Sequence, residues 1–335
     1  MQTSSRVEPT TAELAESRKL LHRILLDLLI VIVLVIPIAV CEFAIEPFRR
    51  GFFCDDETIR YPFKDNTITP VLLGVILAVP TFLIIGIGEY VRQYKKGTIS
   101  NTRYLWGCRI PIWYCNIFKQ LVYFAFGLLL TFDATELGKY TIGRLRPHFM
   151  AVCQPQFSDG STCADSFNQH RYVENYFCLG TGFTAADVRQ ARLSFPSGHS
   201  SLVVYSMVYV ALYLQKRMHW RRSDLTRHFI QFTLIMVAWF TALSRIMDNW
   251  HHWSDVLCGS LIGVVAALIT ANYISKFFKK PHSELATLRL SGGLARQDTS
   301  ATLNEVLAHT PPPYTIDSEA AAAPDFTNDQ YCTKV

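Results

Sequence analysis

The chain has 335 residues, of which 50% are hydrophobic and 18% are charged, and its formal net charge is +5. This modest positive charge does not indicate nucleic-acid binding, because the Lys and Arg residues cluster at the ends of apolar runs. The apolar residues exclude an ordinary soluble protein, since several runs approach or exceed the roughly 20 residues that cross a bilayer.

Six apolar runs predict an all-α integral membrane protein, a bundle of six transmembrane helices. The runs lie at about 22–44, 69–91, 113–136, 199–215, 229–247 and 254–275. The fourth is shorter and contains several Tyr and Ser residues, so a buried core helix competes most strongly with a membrane span there. Pro37 and Pro80 lie inside runs, where neighbouring groups in a membrane bundle can satisfy the freed carbonyls.

The runs divide the chain into an N-terminal tail of residues 1–20, a six-span domain of residues 21–280 and a C-terminal tail of residues 281–335. Both tails are predicted to be disordered, because residues 1–17 are polar and the last segment shows no apolar periodicity. The first run is too long for a signal-peptide core and lacks a convincing cleavage site, so it is predicted to be an uncleaved first span.

Lys and Arg are most frequent before the first run, after the second and fourth runs, and after the sixth. The positive-inside rule therefore places both tails in the cytosol. The plasma membrane is the expected location, with an internal membrane as the alternative.

Three short polar clusters lie at the edges of these runs. The first contains Lys139, Arg146 and Pro147; the second is Pro196, Ser197, Gly198 and His199; the third contains Ser244, Arg245, His251 and Asp255. The predicted topology places all three on the extracytosolic side, which supports one shared site there.

The residue types in these clusters suit a phosphate dianion. Arginine makes bidentate contacts with phosphate and lysine adds a point charge, as Arg146, Arg245 and Lys139 could do. Ser197 and Gly198 directly precede an apolar run and are predicted to lie at a helix N-terminus, where free backbone N–H groups bind anions. His199 would then lie in the first turn and face the same pocket.

Asp255 follows His251 by four residues, a spacing that places both on one face of a helix. The carboxylate could then bond one imidazole nitrogen and leave the other to attack phosphorus. His252 is an equal rival on spacing alone. Zinc is a competing interpretation, with His199, His251, His252 and Asp255 as ligands. However, the three nearby cations would repel a divalent ion, so no metal is predicted. The sequence contains no Walker-type glycine-rich loop, so nucleotide binding is not predicted.

The pattern Lys-x6-Arg-Pro, Pro-Ser-Gly-His and Ser-Arg-x5-His-x3-Asp resembles the signature of the type 2 phosphatidic acid phosphatase superfamily, with no departure. The segments GFFCDDETIRYPFK and KYTIGRLRPHF are similar to those of the animal lipid phosphate phosphatases, or phospholipid phosphatases. The similarity spans about residues 20–280. It implies a six-span enzyme, with its active site facing outward and no metal or cofactor. The implied substrates are phosphatidate, lysophosphatidate, sphingosine 1-phosphate and ceramide 1-phosphate.

The resemblance also implies roles for individual residues and favours His251 over His252. His251 would form a phosphohistidine and Asp255 would orient it. His199 would protonate the departing lipid alkoxide and then activate water. The phosphate would be held by Lys139, Arg146, Ser197, Gly198 and Arg245.

Three other functions compete with this prediction. A related enzyme could act on a sugar phosphate or polyprenyl diphosphate, a non-catalytic relative could bind lipid, and a transporter could carry polar groups. The first-loop resemblance argues against the first alternative and the complete signature against the second. A transporter predicts charges at mid-membrane, whereas the charges here gather at span ends.

The remaining motifs concern disulfides and partners. Four of the nine cysteines fall in predicted outer loops, where three pairings are open: Cys54, Cys153, Cys163 and Cys178. The C-terminal tail contains a candidate WW-domain ligand at Pro311, Pro312, Pro313 and Tyr314. Thr333 and Val335 at the C-terminus are compatible with a PDZ domain. A homo-oligomer is compatible with the sequence, which leaves the oligomeric state open.

Overall fold

A computed structural model of the protein describes residues 10–105, 108–217 and 224–277, and it is mostly helical. The helices are α1 (Thr11–Val33), α2 (Val35–Phe43), α3 (Pro70–Lys95), α4 (Ile112–Ile142), α5 (Phe149–Cys153), α6 (Ala185–Gln190), α7 (Gly198–Arg217), α8 (Asp224–Met247) and α9 (Trp253–Ile269). The strands are β1 (Phe52–Phe53), β2 (Thr102–Leu105), β3 (Cys108–Pro111), β4 (Pro155–Gln156), β5 (Tyr172–Val173) and β6 (Phe177–Cys178). They form three antiparallel pairs, β1 with β5, β2 with β3 and β4 with β6. The predicted partner motifs at 311–314 and 333–335 lie outside the described residues.

Five helical segments in the described part of the chain are long and apolar enough to cross a membrane. They are Glu13–Phe43, Pro70–Lys95, Ile112–Ile142, Leu225–Met247 and Trp253–Ile274. The first of these segments contains both α1 and α2. The helix is interrupted at Leu34, because the ring of Pro37 would clash with the carbonyl of Val33, four residues earlier. Five of the six predicted spans therefore correspond to such helices.

The remaining predicted span, the fourth, corresponds to α7, which has 20 residues but is too polar to meet the same criterion. This helix contacts α3, α4, α8 and α9. Its Ser200, Ser201 and Ser206 are fully buried. Because these polar side chains face protein, they lower the mean hydropathy of α7 without being exposed on the surface of the bundle. The six-span count stays a prediction.

The N-terminal tail differs from the prediction of disorder, which is wrong for residues 11–17 because they belong to α1. The hydroxyl of Thr10 accepts a hydrogen bond from the Glu13 N–H at 3.2 Å, and the Glu13 carboxylate accepts one from the Thr10 N–H at 2.8 Å. This capping box satisfies two N–H groups at the helix end and starts the helix in polar sequence.

The segments 44–69 and 143–197 cover the bundle end at which α4 finishes and α7 and α9 begin. Cys54 bonds to Cys163 and thereby joins the two segments, while Cys153 bonds to Cys178 within the second. The cysteines thus form one of the three pairings that the sequence left open. A small apolar core lies beneath them and includes Phe52, Phe149 and Tyr176. This covering layer fixes the loops that carry the polar clusters.

Candidate active site

The three polar clusters meet at this covered end of the bundle. Lys139 lies in the last turn of α4, Arg146 in the loop after it, Ser197 directly before α7, Arg245 in the last turn of α8, and Asp255 in the first turn of α9. Two glycines permit the close approach of the segments that carry these residues. Gly143 has a φ of +56° and ends α4 just after Lys139. A Cβ on Gly259 of α9 would lie 2.5 Å from the Ser197 carbonyl, so only glycine allows this contact.

Arg146 is the clearest anion ligand of the site. Its side chain is buried, with the residue only 4% exposed, and Nη2 donates to Gln190 Oε1 at 3.1 Å and to the Leu193 carbonyl at 3.3 Å. Its Nε and Nη1 are buried without a hydrogen-bond partner among the described residues. Burial, and then the charge of Arg245, lower the pKa of Arg146 to about 9, which still leaves it protonated at neutral pH. A buried, charged group with two unused donors favours an anionic ligand.

The aromatic ring of Trp250 holds this guanidinium in place. The central carbon of the Arg146 guanidinium lies 4.5 Å from the ring centroid. The indole Nε1 donates to the Lys64 carbonyl at 2.9 Å, and the ring also contacts His148. The His148 Nδ1 donates in turn to the Asn249 carbonyl at 2.9 Å. The loop after α4 is therefore joined to the loop before α9 at the edge of the site.

The Lys139 side chain bonds a residue of its own helix, α4, and lies close to the second cluster. Its Nζ donates to Glu136 Oε1 at 2.7 Å, and both side chains are largely buried. A Cβ on Gly198 would lie 3.2 Å from this Nζ, so a larger residue at 198 would crowd the ammonium group. The glycine therefore leaves room for the cation, and for a ligand beside it.

Arg245 is buried but is already paired. Nη2 donates to Asp248 Oδ2 at 2.9 Å, Nη1 donates to Asn66 Oδ1 at 2.7 Å, and Nε donates to the Ser244 hydroxyl. Asp248 also accepts from the N–H and the hydroxyl of Thr67. Arg245 lies in the site, as the sequence predicted. It contributes less uncompensated charge than Arg146, because its guanidinium is paired with Asp248.

The second cluster departs in one respect from the prediction. The Ser197 N–H is not free, because it donates to the Asp255 carbonyl at 3.1 Å. Its hydroxyl accepts from the Ser200 hydroxyl at 2.9 Å. His199 lies in the first turn of α7 as predicted, and its Nε2 donates to the Ile68 carbonyl at 3.2 Å. That tautomer leaves Nδ1 of His199 for proton transfer.

His251 is buried in the loop before α9. Its Nδ1 donates to the Ser194 carbonyl at 2.6 Å, so the lone pair of the neutral ring lies on Nε2. Burial, together with the charges of Arg146 and Lys139, holds the pKa of His251 well below its ordinary value. The ring is therefore neutral at neutral pH, with an unprotonated Nε2.

The predicted hydrogen bond from His251 to Asp255 is absent, because Nδ1 and Oδ2 are 3.9 Å apart. The spacing argument required both residues on one helix, but α9 begins at Trp253 and leaves His251 in the preceding loop. Ser194 connects the two residues instead. Its hydroxyl donates to Asp255 Oδ2 at 2.6 Å, while its carbonyl accepts from His251.

Asp255 is fully buried and is surrounded by donors. Besides Ser194, Arg144 Nη1 donates to Oδ1 at 2.5 Å and the His252 N–H donates to Oδ2 at 3.1 Å. The first turn of a helix also favours a negative charge. The carboxylate therefore organises the segment that carries both histidines.

The structure distinguishes His251 from His252, which spacing could not. Nε2 of His252 donates to the Leu145 carbonyl at 3.0 Å. The charges that act on this ring are those of Arg144, Asp255 and Asp56, whereas Arg146 and Lys139 act on His251. Of these two histidines, it is therefore His251 that lies beside the two cations that could hold a phosphate.

Sequence reasoning missed several residues that shape the site, namely Asn66, Glu136, Arg144, Ser194, Asp248 and Trp250. Arg144 lies inside the KYTIGRLRP segment and Trp250 directly precedes His251, so proximity to the motifs could have indicated both. In the described ranges, His, Cys, Asp and Glu side chains do not gather in groups of three that could hold a metal ion.

Known proteins are similar to this chain in sequence. The PAP2 superfamily profile matches residues 120–279, which contain all three clusters. A Drosophila melanogaster protein named "Putative phosphatidate phosphatase" is 47% identical over 274 residues, covering 80% of this chain and 72% of that protein. Phospholipid phosphatase 1 of Mus musculus is 37% identical over 286 residues, covering 85% and 96%. Phospholipid phosphatase 2 of Homo sapiens is 39% identical over 257 residues, covering 76% and 84%. No solved structure matches the chain.

Proposed function

The chain belongs to the PAP2 superfamily, and from this premise we propose that it hydrolyses the phosphate monoesters of lipids. The observation that carries the proposal is the buried Arg146, which has two donors without a partner among the described residues and lies in the same site as the neutral His251. The relatives named for phosphatidate and phospholipid support lipids as the substrate class. The proposed substrates are phosphatidate, lysophosphatidate, sphingosine 1-phosphate and ceramide 1-phosphate.

In the proposed reaction, the Nε2 lone pair of His251 attacks phosphorus, and the bond between phosphorus and the lipid oxygen breaks. The bound phosphate dianion favours protonation of His199 at Nδ1, and this proton passes to the departing oxygen, so the lipid leaves as an alcohol and His199 becomes neutral. Water then attacks the phosphohistidine and gives one proton to His199. Inorganic phosphate leaves, and both histidines return to their starting states.

The cations supply most of the proposed catalysis. The transition state of phosphoryl transfer spreads negative charge over the equatorial oxygens, so fixed positive groups stabilise it. Nε and Nη1 of Arg146 are suited to this role, and Lys139 adds a second charge. Ser197, Gly198 and Arg245 complete the proposed phosphate site. Asp255 would stabilise the positive charge that develops on His251, acting through Ser194.

In the proposed topology, residues 21–280 form one domain with six membrane spans, and α7 is the fourth span. The concentration of Lys and Arg at one set of helix ends supports cytosolic tails and an extracytosolic active site. Together with the apolar helices, the family places the protein in a membrane. The plasma membrane is the location that we propose.

The metal-free mechanism predicts full activity in the presence of a chelator. The charge that a metal would supply comes from Arg146, Lys139 and Arg245, so excess EDTA should leave the rate unchanged. Phosphate release from the four proposed lipids, a sugar phosphate and a polyprenyl diphosphate measures both the metal requirement and the substrate class. A requirement for added Mg²⁺ would contradict the mechanism, and preference for a soluble sugar phosphate would contradict the lipid assignment.

The lowered pKa of His251 predicts the acid side of the pH profile. The neutral ring is the reactive form, so activity is present above the folded-state pKa and is lost as the pH falls through it. We expect kcat/KM to fall only below about 6.5, the ordinary pKa of histidine. A second substrate, whose phosphate ionises at a different pH, separates substrate ionisation from that of the enzyme. An acid limb at or above the ordinary histidine pKa would refute a neutral buried nucleophile.

A further inference from the structure

A cleft of about 510 Å³ opens at the covered end of the bundle, next to the candidate active site. Its walls come from the segment around β1, the end of α4, Tyr172 of β5, and the residues Phe195 and His252. Among the described residues that line it, none is a predicted catalytic or phosphate-binding residue. The cleft is large enough for a small ligand and is distinct from the catalytic cluster.

The charged groups of the cleft favour an anion. Arg50 and Arg144 line it, and His252 adds an imidazole. Asp56 also lines the cleft, but its carboxylate already accepts from the N–H of Thr58 at 2.9 Å and from its hydroxyl at 2.7 Å. Arg144 is ion-paired with Asp255, so Arg50 supplies the charge and Arg144 supplies further N–H donors, a combination that suits a singly charged phosphodiester.

The apolar walls indicate that this anion belongs to a lipid. Phe53 and Tyr172 are 48% and 47% exposed, and their rings contact each other with centroids 5.2 Å apart. Ile142 is the last residue of α4, so the cleft lies where that helix leaves the predicted membrane. Aromatic side chains are enriched at this depth, where lipid headgroups meet acyl chains.

Arg144 links the cleft to the catalytic histidine. Its Nη1 donates to Asp255 Oδ1 at 2.5 Å and to the Ser254 hydroxyl at 2.8 Å, while its side chain remains 33% exposed. Both bonds use Nη1, so within the described part of the chain Nη2 and Nε of Arg144 remain as donors for a ligand. The other oxygen of Asp255 bonds Ser194, whose carbonyl holds His251.

We propose that this cleft binds the phosphodiester headgroup of an anionic membrane phospholipid through Arg50 and Arg144. Such a ligand holds the Arg144 guanidinium in the position that bonds Asp255, and so favours the productive orientation of His251. The site goes beyond the proposed function, because a phosphodiester lipid is bound rather than hydrolysed.

Thermal denaturation of the purified full chain in detergent tests binding without any turnover. Phosphatidylglycerol should raise the midpoint, while phosphatidylcholine and inorganic phosphate should not. Arg50→Gln should remove about half or more of that shift because one of two phosphate ligands is lost. Arg171→Gln removes the same charge from an exposed arginine outside the cleft and should leave the shift intact. Phe53→Ala, a second exposed position, should also reduce it.

Each contrary result overturns a stated part of the proposal. An equal shift in the wild type, Arg50→Gln and Phe53→Ala overturns the site. An equal shift with phosphatidylcholine overturns its charge selectivity, and one with inorganic phosphate overturns a lipid ligand. A rate assay, which rests on the proposed function, tests the coupling. Phosphatidylglycerol should raise kcat in the wild type but not in Arg50→Gln, and binding with no change in wild-type kcat overturns the link through Arg144.

Discussion

Replacement of His251 by alanine should abolish hydrolysis of phosphatidate, with kcat lower by at least about 10³-fold, because the proposed covalent intermediate cannot form. Phosphate release from detergent-dispersed phosphatidate measures the loss. Labelled lipid phosphate should yield a base-stable, acid-labile phosphoprotein in the wild type and none in this variant. The thermal midpoint of the variant shows whether the buried site still folds.

His252→Ala is the matched control. It removes the same side chain one position further along the chain, but that ring bonds the Leu145 carbonyl and lines the neighbouring cleft. We expect much of the activity to remain and the phosphoprotein still to form. Equal losses in the two variants would remove the basis for naming His251 as the nucleophile.

Asp255→Asn should lower kcat by about 10³–10⁴-fold while the chain remains folded. Three donors, from Arg144, Ser194 and His252, point at the carboxylate. The amide of asparagine would place its own donor against one of them and would remove the negative charge. Displacement of Ser194 also moves the carbonyl that fixes the tautomer of His251. Steady-state kinetics and thermal denaturation of the purified variant separate catalysis from stability.

Ser254→Ala provides the control for this substitution. It removes the other acceptor of Arg144 Nη1 and leaves the carboxylate in place. We expect its kcat to stay within about threefold of the wild type, because Asp255 keeps its charge and its bonds to Arg144 and Ser194. A wild-type kcat in Asp255→Asn, or equal losses in the two variants, would show that Asp255 does not act on His251.

Hydropathy predicted five of the long helices because positions that face lipid must be apolar. It was least informative at α7, where Ser200 and Ser201 face other helices and no apolar side chain is required. Composition also failed at the N-terminus, since the capping box of Thr10 and Glu13 extends α1 into polar sequence.

The sequence indicated which side chains gather at the candidate site, but it gave the His251–Asp255 contact wrongly and did not reveal the backbone groups that hold these residues. The motifs indicated Arg146, while spacing left His251 and His252 equal and only the family resemblance favoured His251; the structure brings Arg146 and His251 together. The contribution of Ser194 to His251 comes from a carbonyl, a group that every residue has, so no sequence pattern could reveal it. Asn66 contacts Arg245 across a separation of 179 residues, and nothing in its local sequence indicates that contact.

The position of α7 has a consequence for biosynthesis. In the proposed six-span topology, a segment this polar would partition poorly into the bilayer alone. Its stable insertion would then depend on α8 and α9, which pack against it and are synthesised later. The second half of the chain would then integrate as one cooperative unit. Substitutions that loosen the packing of α7 on α9 should therefore reduce the yield of inserted protein, even where the catalytic groups are untouched.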